Sequence, residues 1–580
     1  MAPTSAVAVC NVVRLSNEAT VCATAEMAAT TLSGTSPMMH AQVEAGRGST
    51  LCKADFDAVI VGAGFAGLYM LHRLRRMGFR ARVLEAGCGV GGTWYWNRYP
   101  GARCDVESVQ YSYQFDEALQ QEWDWSERYA AQPELLRYAN HVADRFDLRR
   151  DIAFDTRVVC AAFDEAQERW VIETNRGARQ TATYCIMATG CLSAPNLPQF
   201  TGLESYRGAS YHTGCWPHEE VSLAGKRVAV IGTGSSAVQS IPIIAAQANE
   251  VIVFQRTANY AIPAHNVPLS DAYRAAIKAD YPMLRARARQ TMTGIDFDYS
   301  DALALQTPAQ ERTREYERRW HRGGLAFLGA YKDLMVDQAA NDTAADFVRG
   351  KIRQTVHDPV VAELLAPKNT IGCKRLCVDI GYFETFNRPN VRLIDVSEAP
   401  IETITPGGVR VRGREYAADA IVFATGFDAM TGAILRIDIR GRGGMALRER
   451  WREGPCTYLG LAVAGFPNLF AITGPGSPSV LTNMLPTIEQ HVDWIADALD
   501  YLRARGLSRI EPSASAEDAW GAHVAELAGS TLRYTCGSWY LGVNIPGKPR
   551  VFMPYIGGFP RYIAKCNEVA ARGYEGFALS

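Results

Sequence analysis

The sequence predicts an α/β fold in which two Rossmann-like units share one chain of 580 residues, the second inserted into the first, beside a helical subdomain. Three observations predict it. An apolar run at 56–61 enters Gly62-Ala63-Gly64-Phe65-Ala66-Gly67 and then a helical stretch, the pattern of a buried parallel strand opening a nucleotide-binding turn. A second run at 226–231 enters Gly232-Thr233-Gly234-Ser235-Ser236-Ala237 in the same way. Two further apolar runs end alike, on Ala188-Thr189-Gly190 and on Ala424-Thr425-Gly426, and bracket the second unit.

In the first turn Gly62 permits the tight bend, Gly64 lets backbone approach a pyrophosphate, and Gly67 lets the helix pack close to the strand. The strand at 80–84 then ends on Glu85, an acid that can accept from a ribose diol. In the second unit Ala237 stands at the third glycine position, and the strand at 251–254 leads into Gln255-Arg256-Thr257 with no acid. A carboxylate there would repel a 2′-phosphate, whereas a guanidinium fork and a hydroxyl bind one, so the second nucleotide is expected to be NADPH. The competing reading of Arg256 as an ordinary surface arginine fits its place at the strand end less well.

Composition narrows the class. A 48% hydrophobic content suits a globular chain with more than one core, and a formal net charge of −1 gives no broad electrostatic footprint for nucleic acid. Apolar runs are too short and too often broken to span a membrane. Fourteen cysteines lie scattered rather than at metal spacing, which predicts reduced, mostly buried thiols in a cytoplasmic protein and no metal. Cys373 and Cys377 flank Lys374-Arg375 without the partners a zinc site needs. No Cys-x-x-x-x-Cys or Cys-x-x-Cys pair follows either nucleotide turn, which weakens a disulfide reductase. Residues 1–51, rich in Ala, Thr and Ser with few charges, are expected to be disordered; Arg14, nearly alone, lends weak support to a transit peptide.

The expected organisation is a first nucleotide domain over 52–195 and 391–580, a second over 196–270 and 356–390, with connections near 191–220 and 380–395. Helical periodicity and charge over 271–355 predict a helical subdomain beside the substrate entrance. Between them, Gly91 to Asp105 (GGTWYWNRYPGARCD) reads as an aromatic loop able to receive a flat ring.

That loop and the segment Tyr206-Arg207-Gly208-Ala209-Ser210-Tyr211-His212-Thr213-Gly214-Cys215-Trp216-Pro217 resemble the two signatures of the type I Baeyer–Villiger monooxygenases. The resemblance covers nearly all of the chain from about residue 53, including 373–376, 424–432, 538–540 and 544–548; residues 474–479 look most like the branch of phenylacetone and steroid monooxygenases. One departure is Tyr206, where the family usually has Phe. The resemblance implies FAD on the first unit and NADPH on the second, with a ketone and dioxygen converted to an ester or lactone through a flavin peroxide.

It also implies roles residue by residue. Arg375 would stabilise the developing negative charge, a task suited to a group that stays cationic and cannot act as a base, and Asp105 would orient it. Gly62, Gly64, Gly67, Glu85, Gly92, Thr93, Trp94, Asp105, Tyr111, Val158 and Met484 would serve FAD. Gly232, Thr233, Gly234, Ser235, Ser236, Ala237, Gln239, Arg256, Thr257, Lys374 and Trp539 would serve NADPH. Trp539 would close over the nicotinamide, its plainer reading being a core tryptophan. Ser479, Val480 and Leu481 would line the ketone pocket. Tyr206, Gly208, His212 and Trp216 would set the domain orientation from the linker. Rival readings are an N- or S-oxidising flavin monooxygenase, a peroxide-releasing NADPH oxidase, and a non-enzymatic redox-sensing scaffold.

Overall fold

The structure, a computed structural model, describes residues 54–580; the extension expected to be disordered lies outside them. The larger sheet has eight strands. Its parallel centre runs through Arg179–Met187, Phe56–Val61, Ala81–Leu84 and Ile152–Ala153 in that spatial order. Phe56–Val61 is buried from Ala58 onward, and a strand covered on both faces must be apolar at every position rather than alternate. Arg169–Thr174 and Val158–Asp164 extend the sheet in antiparallel pairing, Asp438–Arg440 closes that edge, and Leu469–Ala471 pairs in parallel with Arg179–Met187.

The second sheet has five strands, all paired in parallel, in the order Val391–Asp395, Glu250–Gln255, Arg227–Ile231, Ala420–Phe423, Ala209–His212. This order corrects the expected return near 380–395. Val391–Asp395 and Ala420–Phe423 both complete the second sheet, and the chain rejoins the first only with Asp438–Arg440. Ala420–Phe423 is buried at all four residues and hydrogen-bonded on both edges, so from sequence it looks like an internal strand of either sheet. The two Ala-Thr-Gly endings are therefore equivalent strands of two units.

Their likeness has a physical cause. Gly62 has φ +108°, and a Cβ there would lie 2.6 Å from the Ala188 carbonyl oxygen; Gly232 has φ +111°, and its Cβ would lie 2.5 Å from that of Ala424. In each unit the first glycine closes against the end of the neighbouring strand, where no side chain fits. At Gly67 a Cβ would stand 1.8 Å from the Gly62 carbonyl oxygen.

Three helices, Asp271–Arg289, Ala309–Arg322 and Gln338–Thr355, occupy the stretch read as helical. Ser270 and Asp337 cap the first and third by accepting from the Tyr273 and Ala340 amides. Among the described residues no helix is long and apolar enough to cross a membrane.

The thiol expectation also needs correction. Cys373 and Cys536 are joined in a disulfide, their Cα atoms 6.0 Å apart across 163 residues of sequence. Only folding brings such distant positions within bonding reach, so spacing along the chain carried no sign of it.

Candidate active site

Both nucleotide turns end on helix N-termini left open. The helices Phe65–Arg76 and Ser235–Gln247 start from Gly64 and Gly234, and neither has a side-chain cap, so their first-turn amides face outward as anion sites. Glu85 is buried at the end of Ala81–Leu84 and accepts from the amides of Ala63 at 2.6 Å and Gly87 at 2.7 Å. Burial raises its pKa, and these amides oppose the rise. The carboxylate thus braces the turn while each oxygen retains acceptor capacity for a diol.

In the second unit the Thr233 hydroxyl donates to the Thr257 carbonyl at 2.8 Å, tying the turn to the strand end that carries exposed Arg256 and Thr257. Lys374 lies near Arg256 from a distant part of the chain, and burial together with the Arg256 charge lowers its pKa. Neither cation has a carboxylate within ion-pair distance among the described residues. At Gln239, expected among the nucleotide contacts, Oε1 accepts from the Tyr99 hydroxyl at 2.8 Å and Nε2 donates to the Arg103 carbonyl at 3.1 Å. It fastens the second unit's helix to the 99–103 loop of the first.

The aromatic loop is partly a one-turn helix, Thr93–Trp96. Trp94 and Tyr95 pack inward rather than forming an open platform, and Trp94 Nε1 donates to the Tyr111 hydroxyl at 3.3 Å with the rings edge-to-face. Thr93 is exposed beside them, Gly92 has φ +52°, Val158 lies in the core, and Met484 opens the helix Met484–Ala504, half-buried.

The linker signature explains itself through hydrogen bonds. His212 Nδ1 accepts from the Gly214 amide at 2.9 Å, so its proton sits on Nε2, which meets the Thr425 hydroxyl at 3.1 Å; Thr425 donates onward to the Asn196 carbonyl at 2.7 Å. Burial depresses the His212 pKa to about 4. The chain of bonds ties together the two connections between the sheets, and a neutral ring so engaged has no proton to spare for catalysis. The Tyr206 hydroxyl, absent where the family has Phe, donates to the Ala418 carbonyl at 2.9 Å, and the buried Trp216 ring packs 5.1 Å from Tyr211. A Cβ at Gly208 would strike the Tyr206 hydroxyl. Because an unfolded histidine protonates near 6.5 and folded His212 only near 4, its contribution to stability is lost as pH falls through that window. His212→Gln is expected to flatten the fall in Tm between pH 7 and pH 5; an unchanged slope would reject the neutral assignment.

Asp105 and Arg375 meet from opposite units, 270 residues apart. Arg375 Nε and Nη2 grip both carboxylate oxygens, the Nη2–Oδ1 bond being 2.9 Å, and Nη1 donates to the Val480 carbonyl at 2.7 Å. Burial opposes the charge on Arg375, yet the charge and hydrogen bonds of Asp105 outweigh it and hold the guanidinium above its ordinary pKa. Val480 belongs to an apolar cluster with Met430, Tyr540, Leu541, Phe552 and Met553, against which Leu481, Met484 and Trp539 pack half-buried. Ser479 is fully buried, its φ of +40° turning the chain toward Arg375.

Comparison with known proteins gives this geometry its context. Residues 59–311, which include both glycine-rich turns, match the family described as pyridine nucleotide-disulphide oxidoreductase. A Baeyer–Villiger monooxygenase of Pseudooceanicola batsensis is 44% identical over 90% of this chain and 96% of its own. The chain belongs to the Baeyer–Villiger monooxygenases. The monooxygenase also shares 42% identity with the phenazine N-monooxygenase PhzNO1 of Lysobacter antibioticus, over 91% of this chain and 97% of that one. A solved oxidised steroid monooxygenase bound to NADP is 53% identical, covering 90% of this chain and 99% of its own with a TM-score of 0.87. The monooxygenase is accordingly an FAD- and NADPH-dependent enzyme of ketone oxygenation.

Several residues of the site escaped sequence reasoning. The hold of the Val480 carbonyl on Arg375 is one, because any residue at that position would supply the carbonyl. Lys548, donating to Asp428 Oδ1 at 2.6 Å and the Ala429 carbonyl at 2.8 Å, anchors the C-terminal segment beside the cluster. Thr425 was read as a strand ending, although its place in the repeated Ala-Thr-Gly was the available signal.

Proposed function

We propose that the enzyme oxygenates bulky ketones of the kind its steroid monooxygenase relative suggests, with Arg375 as the electrostatic catalyst and Asp105 as the residue that positions it. The observation that carries this reading is the three-point hold on Arg375: two bonds to Asp105 and one to the Val480 carbonyl. A donor fixed in advance loses no energy to reorganisation when charge develops.

The open helix N-termini at Gly64 and Gly234, with Glu85 on one side and Arg256 and Lys374 on the other, fit FAD and NADPH respectively. Bound FAD supplies hydride acceptance and oxygen activation. The chain's own part is to hold the ketone, to exclude water with the apolar cluster, and to present the guanidinium to negative charge on the oxygen and then on the carbonyl. Trp539 and Tyr540, with ring centroids 4.1 Å apart, would cover the nicotinamide end of the site.

The test is turnover of purified enzyme with NADPH, isotopic dioxygen and a panel of ketones, with products identified by mass. Labelled ester or lactone is expected. The phenazine N-monooxygenase relative supports a second reading, heteroatom oxygenation, so phenazines belong in the panel; N-oxide without ester would overturn the first.

Substrate shape should be read by Val480. Val480→Ala enlarges the cluster and Val480→Phe fills it, so the ranking of bulky against small ketones in kcat/KM is expected to reverse between them, by roughly 10- to 100-fold at the scale of pocket contacts. Flavin reduction by NADPH should hardly change. Identical ketone rankings in both variants would remove Val480 from the pocket.

A further inference from the structure

We propose that Cys373 and Cys536 form a reversible redox clamp that holds the Trp539 segment against the Arg375 loop and so governs nucleotide exchange. Cys373 lies two residues before Arg375 and is 1% exposed; Cys536 lies three residues before Trp539 and is half-buried. The bond therefore joins the two sides of the site directly. Arg533 Nε also donates to the Gly372 carbonyl at 2.9 Å, and Tyr540 and Leu541 pack in the apolar cluster with Val480, so the disulfide is the covalent link added to non-covalent contacts that can break and remake.

The position is chemically selective. Cys104, Cys191 and Cys377 surround the same region as free thiols, and burial raises the pKa of each, that of Cys377 to about 12, which keeps them as unreactive thiols. Cys536 reaches solvent, and Cys373 stands within bonding distance of it.

The oxidant is a hydroperoxide, the class of product released when NADPH oxidation runs without oxygen insertion. The Cys536 thiolate attacks one peroxide oxygen and breaks the O–O bond, giving a sulfenic acid and, after protonation, water. The Cys373 sulfur then displaces the hydroxyl, forming the S–S bond and a second water. Two thiols and one hydrogen peroxide become one disulfide and two waters, with two electrons passing from sulfur to oxygen. A dithiol reverses the step by exchange at Cys536. An enzyme leaking peroxide would thus close its own site.

The proposal rests on the reading that the Trp539 segment covers the nucleotide; ester formation and flavin reduction by the reduced enzyme test that reading separately. Holoenzyme is treated with hydrogen peroxide or dithiothreitol, thiols are counted by alkylation and mass, and NADP+ release is followed by rapid mixing. Oxidised enzyme is expected to have residues 373 and 536 linked and to release NADP+ at least fivefold more slowly than reduced enzyme. Cys536→Ser and, as a second variant, Cys373→Ala should release it at the reduced rate under both treatments. Release rates that agree within twofold between oxidised and reduced wild type would overturn the clamp. So would alkylation of both thiols after peroxide, or equal slowing of Cys536→Ser.

Discussion

Arg375→Ala is expected to abolish ester formation while leaving flavin reduction by NADPH in place. The variant loses a donor aimed at oxygen atoms that become negative only as the reaction proceeds, and removal of such a donor costs roughly 10²–10³ in rate. Both helix N-termini that would receive the nucleotide phosphates start from Gly64 and Gly234, remote in sequence from position 375, so the protein should still purify yellow. NADPH oxidation should continue and release hydrogen peroxide instead of ester. Asp105→Ala should give a milder loss, because Arg375 stays but keeps only the Val480 carbonyl as a fixed partner. Rapid-mixing absorbance and product analysis separate the steps. An Arg375→Ala enzyme that makes ester at the wild-type rate would end the proposed role.

Arg256→Ala and Lys374→Ala should each raise the KM for NADPH with little change in the use of NADH. The two side chains place two cations together without a carboxylate among the described residues, an arrangement that favours an arriving anion; burial first, and the Arg256 charge second, lower the pKa of Lys374. A charge-assisted hydrogen bond contributes about 1.5–3 kcal/mol, which corresponds to roughly a 10- to 100-fold rise in KM. NADH has no 2′-phosphate to lose. Steady-state kinetics with both nucleotides decide the matter: equal losses would mean that the substitutions disturb the fold or the common part of the nucleotide instead.

Residues close in sequence determined the two nucleotide units, because strand, turn and helix are local: the glycine spacings at 62–67 and 232–237, Glu85, and the contrast offered by Arg256 are all readable from periodicity and side-chain chemistry. Arg375, Asp105 and the linker signature were identified through family resemblance, since nothing in their own spacing says that they meet. What the tertiary structure alone decided is which distant pieces share an edge or a bond. Ala420–Phe423 could serve either sheet by its apolar pattern, and only pairing with Arg227–Ile231 and Ala209–His212 assigns it to the second. Gln239 fastens the second unit's helix to the 99–103 loop because folding brings Tyr99 and Arg103 to its amide. Cys373 and Cys536 became partners across 163 residues because folding brings their Cα atoms to 6.0 Å. Hydrophobic periodicity encodes what a segment buries, whereas the identity of the partner depends on where the rest of the chain has gone.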